Sequence, residues 1–186
     1  MRKCRRAATV AAVVLAAAAA GCASTAAEPA WPEPEAAGRD HSAAVFARFK
    51  ELAGTWKGTM GEGEGAGPME VQYRLTAGGS AVEEVLFCRT SHEMVTLYHL
   101  DGPRMLLTHY CAAGNQPTMV LVPGDDPAKP RFEFLRATNL ADPKEGHMHR
   151  ASFDLSEKGR LRTRWTFFTD GKPGEEAVID VQRAPQ

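Results

Sequence analysis

From Thr55 to Gln182 the chain is a succession of short segments in which apolar and polar residues alternate, divided by tight turns. Met69, Val71, Tyr73 and Leu75 alternate with Glu70, Gln72 and Arg74. That two-residue period belongs to a strand with one buried face. Turn-forming residues separate the segments, as in Ala77-Gly78-Gly79-Ser80, Asp101-Gly102-Pro103, Ser156-Glu157-Lys158-Gly159 and Asp170-Gly171-Lys172-Pro173. The pattern predicts strands over 55–60, 69–75, 81–89, 92–100, 104–111, 118–122, 131–136, 147–155, 161–168 and 176–182. No helical pattern of useful length stands between them, so a parallel α/β sheet is unsupported. The expected fold is all-β: an antiparallel meander barrel of about ten strands, with a β-sandwich as the alternative.

One helix is expected ahead of the strands. Ser42 reads as its N-cap. Val45, Phe46, Phe49 and Leu52 follow at helical spacing from Ala43 to Ala53, and Gly54 can end it in a left-handed conformation.

The beginning of the chain reads as an export signal over residues 1–21. Arg2, Lys3, Arg5 and Arg6 precede the apolar run Ala7–Ala20, which ends in Ala19-Ala20-Gly21-Cys22. That ending resembles the bacterial lipobox, whose cysteine is lipidated and becomes the mature N-terminus. It departs from the pattern at Ala19, where Leu, Val or Ile is usual. The run is shorter than the roughly 20 apolar residues that span a bilayer. The resemblance implies a lipid on Cys22 and a place in the bacterial cell envelope, on the periplasmic face of a membrane; plain secretion is the alternative. Residues 22–41, rich in Ala, Pro and Glu and including Trp31, read as a tether. Residues 42–186 then form the barrel domain.

Removing the four bases of the signal leaves 18 Lys and Arg against 23 acids, a net charge of −5 with His neutral. An acidic domain has no attraction for a phosphate backbone, so nucleic-acid binding is not expected. Cys88 and Cys111 remain after processing. On the third and fifth strands they would lie roughly 9–10 Å apart, two strand spacings, beyond the reach of a disulfide, so free thiols are expected.

A short helix, then Leu52-Ala53-Gly54-Thr55-Trp56, then an antiparallel meander resembles the calycin group of lipocalins, fatty-acid-binding proteins and nitrobindin-like barrels. In that group the Gly-x-Trp element opens the first strand, and lipocalins stack an Arg from the last strand on the Trp. Arg183 occupies the matching position. The resemblance implies a small hydrophobic ligand or haem. No haem-type His can be carried over, because nothing outside Gly54-Thr55-Trp56 matches.

The sequence contains no Gly-x-Ser-x-Gly, His-Glu-x-x-His or Cys-x-x-Cys motif. The glycine-rich loop Gly61–Gly67 carries Glu62 and Glu64, which would repel phosphate. Histidines are the conspicuous polar residues of the strand region. If Gly102-Pro103 is a two-residue turn, Asp101 opposes Arg104 and Leu100 opposes Met105. His92, Met94, Thr96, Tyr98, Leu107, His109 and Cys111 then share one face, uncharged and mixed, which suits a lined cavity. Glu93, Val95, Leu97, His99, Leu106, Thr108 and Tyr110 share the other. His147 and His149 share a face with Ala151, Phe153 and Leu155, opposite Arg150, Ser152 and Asp154, so both are expected inward.

These residues predict a small-ligand-binding barrel lined by His92, Tyr98, His109, Cys111, His147 and His149. An alternative is a metal-dependent enzyme holding zinc or iron on His109, His147 and His149, with Glu83, Glu84 or Glu93 as acid–base partner. His109 beside Cys111 is the one candidate thiolate pair. A structural or assembly lipoprotein with a filled interior is the third reading. Asn115 and Gln116 are read as turn residues at the mouth, and Arg160, Arg162 and Arg164 as a solvated stripe facing Glu176, Asp180 and Gln182.

Overall fold

The computed structural model describes residues 33–185. The signal, Cys22, Trp31 and most of the tether lie outside the described residues. Ten antiparallel strands follow one helix, α1 (Arg39–Lys50). They are β1 (Gly54–Met60), β2 (Gly67–Thr76), β3 (Ala81–Leu86), β4 (Met94–Asp101), β5 (Arg104–Tyr110), β6 (Gln116–Leu121), β7 (Arg131–Thr138), β8 (His147–Asp154), β9 (Arg160–Thr169) and β10 (Lys172–Arg183). Each pairs with its chain neighbour, and β10 returns to β1, so the sheet closes into a barrel. The sandwich alternative is thereby excluded. Closure removes the sheet edges, and ten strands enclose a wider interior than the eight that side chains just fill.

The helix begins a turn earlier than the sequence reading placed it. Its N-cap is Gly38, and Ser42 is a buried residue within it whose hydroxyl points to the Ala37 carbonyl at 3.4 Å. Ala37 N–H already bonds the Leu121 carbonyl at the end of β6. The folded domain therefore starts before residue 42, inside the expected tether. The helix C-cap is Glu51, so Gly54 does not end α1. It opens β1 at φ +134°, a conformation that favours glycine.

Val45, Phe46 and Phe49 turn the buried side of α1 onto the barrel. Phe49, with no exposed surface, lies 4.6 Å from the Tyr98 ring, 5.0 Å from Phe153 and 6.0 Å from Phe132. This aromatic group plugs the end at which β1, β3, β5, β7 and β9 begin. Leu52 and Trp56 continue the seal: Trp56 Nε1–H donates to the Leu52 carbonyl at 2.8 Å. Trp56 and Arg183 are register partners across the β1–β10 closure. The Arg183 guanidinium lies 4.4 Å from the Trp56 ring and donates to the carbonyls of Ala53 at 2.7 Å and Glu51 at 2.5 Å. It thus combines a cation–π contact with bonds to backbone oxygens left over at the end of α1.

The wall is irregular on one side. The register of β7 with β8 runs only from Arg131↔Ser152 to Glu133↔Arg150, although β7 continues to Thr138. Register shifts fall between Thr118 and Met119 against β7 and between Met148 and Arg150 against β9. Such bulges re-aim side chains next to sites; here one lies at His149.

On the outer face the arginine stripe is paired as the charge pattern predicts. Arg160 bonds Asp180 at 2.7 and 2.9 Å, and Arg164 bonds Glu176 at 3.3 Å. Arg162 instead reaches Glu62 of the glycine-rich loop at 2.5 Å. Cys88 and Cys111 are free thiols.

Candidate functional site

The pairing of β4 with β5 matches Asp101 with Arg104 and Leu100 with Met105, as the turn predicts. Thr96, Tyr98, Leu107 and His109 are buried, and Leu97, His99 and Thr108 are only half-buried. The uncharged face therefore points inward. On β8, His147, His149, Ala151 and Phe153 are buried and Arg150 is exposed.

Four of the six expected lining residues thus turn inward: Tyr98, His109, His147 and His149. Two do not. His92 is exposed in the connection before β4, which begins two residues later, at Met94; its ring contacts Ser91 at 3.2 Å. Cys111 lies half-buried just past β5, where its sulfur accepts from Ala113 N–H at 3.5 Å. Both strands are shorter than the hydrophobic pattern indicated, which leaves these residues on the rim. Tyr98 is inward but its hydroxyl is committed to Glu84.

Glu84 is the centre of the interior polar network. Val82, Glu84 and Leu86 share the buried face of β3, and Glu84 is 1 % exposed. Tyr73 donates to its Oε1 at 2.5 Å and Tyr98 to its Oε2 at 2.7 Å. Thr96 faces Glu84 from β4, and His109 Nδ1 lies 2.9 Å from Thr96 Oγ1. Tyr73↔Glu84, Glu84↔Thr96 and Thr96↔His109 are register partners. One polar rung therefore crosses four adjacent strands. Burial raises the Glu84 carboxyl above the usual carboxylate range, against the pull of the nearby Tyr73, Tyr98 and Thr96 hydroxyls. Tyr73 and Tyr98 are raised well above the ordinary phenol by burial and by the neighbouring carboxyl. Glu83 and Glu93 are not part of this interior: Glu83 pairs with Arg74 outside at 2.7 Å, and exposed Glu93 accepts from Arg89 N–H.

The rung ends in an unsatisfied atom. His109 is 1 % exposed, and its Nε2 has no partner. The Trp165 ring stands 5.1 Å from the His109 ring, and its buried Nε1–H is also unpartnered. Thr163 Oγ1, two residues away on the same face of β9, is a third such atom. An unmet buried donor or acceptor costs about 1–3 kcal/mol. In the sequence nothing sets Trp165 apart from the core aromatics Phe132 and Phe134.

His147 and His149 form a separate pair. His147 Nδ1 lies 2.7 Å from the Glu145 carbonyl and therefore carries the proton. Its Nε2 then accepts from His149 Nδ1 at 2.9 Å. The His149 ring is stacked between Phe134, at 4.7 Å and 9°, and Phe168, at 3.8 Å and 16°. This arrangement fills the bulged part of the wall. Asn115 helps hold it, donating to the Gly146 carbonyl at 2.8 Å just before β8. Gln116 donates to the Gly114 carbonyl at 3.0 Å and is occupied within its turn. Among the described residues no three His, Cys, Asp or Glu side chains form a group that could hold a metal ion. The expected triad of His109, His147 and His149 is not assembled, because the two β8 imidazoles are spent on each other.

Both regions resist protonation. Burial lowers His109 to about 4. Burial, His147 and Arg150 lower His149 to about 3. Each folded value lies below the ordinary 6.5, so the unfolded chain takes up the proton first. Stability is full above about pH 6.5 and falls as pH drops toward the folded values. Between pH 7 and 5 each ring should cost about 2 kcal/mol. Urea unfolding of wild type and His109→Gln at both pH values checks this: the variant should lose about 2 kcal/mol less than wild type, and equal losses would refute the assignment.

No protein-family model matches this chain, and no curated protein matches it.

Proposed function

We propose that the chain is an exported, lipid-anchored calycin-like barrel that binds a small, uncharged, hydrogen-bonding molecule in its interior. The observation that carries this reading is a group of three among the buried polar atoms without partners, on the inner faces of β5 and β9: His109 Nε2, Trp165 Nε1 and Thr163 Oγ1. A closed sheet of ten strands offers the enclosure that such ligands occupy. The Arg183–Trp56 contact at the β1–β10 closure supports the calycin resemblance, and the basic-then-apolar start of the sequence ending at Cys22 supports attachment to the periplasmic face of a membrane. The aromatic plug at the helix end favours a second reading, a structural envelope protein whose interior is simply filled.

Native mass spectrometry of the full chain extracted in detergent distinguishes them. The expected result is a small non-covalent adduct on wild type that is lost in His109→Phe and in Trp165→Phe, which removes only the indole N–H and ring bulk. A bare chain mass in every preparation favours the structural reading. A zinc, iron or haem adduct would replace the proposal with a metal-centred one.

A further inference from the structure

We propose that the open end of the barrel takes an uncharged aliphatic molecule head first, with its apolar chain against Met60, Met148, Phe167 and Ala177 and a hydrogen-bond acceptor on its head at Trp165 Nε1, and that it turns away the corresponding carboxylate. The presence of a guest rests on the binding reading above; its class and its orientation follow from the mouth.

A recess of about 500 Å³ opens at the end where β1 and β9 finish and β8 and β10 begin, a volume usual for small-ligand sites. Met60, Met148, Phe167 and Ala177 line it, with the glycine-rich loop at one side. That loop is tied to β10 by the bond from Gly61 N–H to the Val178 carbonyl at 2.8 Å. Register puts the four side chains on the inner face: Met60 is the partner of Ile179, Ala177 of Trp165 and Met148 of Phe167. Ile179 and Trp165 are buried, and Phe167 follows Trp165 by two residues along β9, so it shares that face. Methionine side chains are flexible and polarizable and mould to apolar chains of varied shape.

Below these walls the interior turns polar. Trp165 lies one side-chain layer beneath Phe167, about 7 Å along the strand, and Thr163 one layer deeper. Both carry buried atoms without partners, and His109, whose ring stands 5.1 Å from that of Trp165, carries another. An indole N–H can only donate, so whatever reaches it must bring an acceptor. The Thr163 hydroxyl can donate or accept. This holds for either position of the His109 proton. Apolar walls above a donor fit a molecule that enters with its polar end leading.

Charge decides the head. Among the described residues that line the recess there is no Lys, Arg or His, and Glu175 and Glu176 stand at its edge. Arg162 and Arg164, on the outer face of β9, are paired with Glu62 and Glu176. Inside, burial keeps His109 neutral, and Glu84 lies on the same rung. A carboxylate beside Trp165 would be buried without a cation, which costs far more than burying a hydrogen-bonded carbonyl.

Indole N–H spectra of the full chain, labelled with nitrogen-15 at tryptophan and held in amphipol, read the contact directly. Trp165→Phe identifies the Trp165 signal, and Trp56, already bonded to the Leu52 carbonyl at 2.8 Å, is the internal control. Methyl heptyl ketone should move the Trp165 proton downfield and leave Trp56 in place. Nonane, which has no acceptor, should not move it downfield. Nonanoate should bind at least about tenfold more weakly than the ketone. Met60→Lys, which brings a cation to the rim, should narrow that difference, and Ala177→Leu, which narrows the mouth, should abolish the ketone response. A Trp56 signal at its wild-type position shows that each variant is folded. No response of Trp165 to the ketone overturns the site. An equal response to nonane overturns the orientation, and nonanoate binding as tightly as the ketone overturns the selection for an uncharged head. Native mass spectrometry separates the two failures: an adduct that persists in Ala177→Leu keeps the binding reading and sinks the mouth, whereas a bare mass with a silent Trp165 sinks both.

Discussion

Replacing Phe49 by alanine should lower the unfolding free energy by about 3–5 kcal/mol, the usual cost of emptying a buried phenylalanine site. Phe49 has no exposed surface, and its ring meets those of Tyr98, Phe132 and Phe153 together. Those three rings come from β4, β7 and β8, so the cavity cannot close by a small shift of one neighbour. Domains of ordinary stability have about 5–15 kcal/mol in hand, and a loss of this size is a large fraction of it. Urea unfolding followed by tryptophan fluorescence measures the change. A cost below about 1 kcal/mol would mean that α1 does not plug the barrel as described. Phe49→Leu, which keeps an apolar side chain in the site, should recover most of the loss.

Glu84→Ala is expected to cost a similar amount, about 3–5 kcal/mol, for a different reason. The substitution leaves the hydroxyls of Tyr73 and Tyr98 buried without their acceptor. Glu84→Gln keeps an oxygen in place and sheds the desolvation cost of a charge, so it should cost about 1–2 kcal/mol. The contrast separates hydrogen bonding from packing. Equal losses in the two variants would show that the rung contributes little beyond volume. A double-mutant cycle with Tyr98→Phe should give a coupling of about 1 kcal/mol or more.

Strand positions were legible because one face of nearly every segment is apolar and because turns need particular residues. The Gly102-Pro103 turn fixed the pairing of β4 with β5, and with it the grouping of Thr96, Tyr98 and His109 on one face; that this face is the inner one was not legible, because the other is nearly as apolar. The inward pair on β8 was legible from alternation alone. The polar rung was not, since it depends on how β2, β3 and β4 align, and register across separate turns has no local signature. Its trace was there all the same: Glu84 sits between Val82 and Leu86 on a face that alternation assigns to the interior. His92 and Cys111 were misplaced because alternation does not show where a strand stops. The metal grouping failed because His147 and His149 bond each other, a contact set by a bulge between Met148 and Arg150. The start of α1 was misjudged because Ser42 resembles a cap, while the chain is already held by Ala37.

The hold on Ala37 also gives the molecule a direction. The chain arrives beside Leu121, at the end plugged by Phe49, whereas His109, His147 and His149 lie toward the opposite rim. The described chain thus enters at the closed end of the barrel and presents its buried imidazoles at the other, so the two ends differ in what they offer a solute: an aromatic lid beneath α1 at one, and nitrogen-bearing rings at the other.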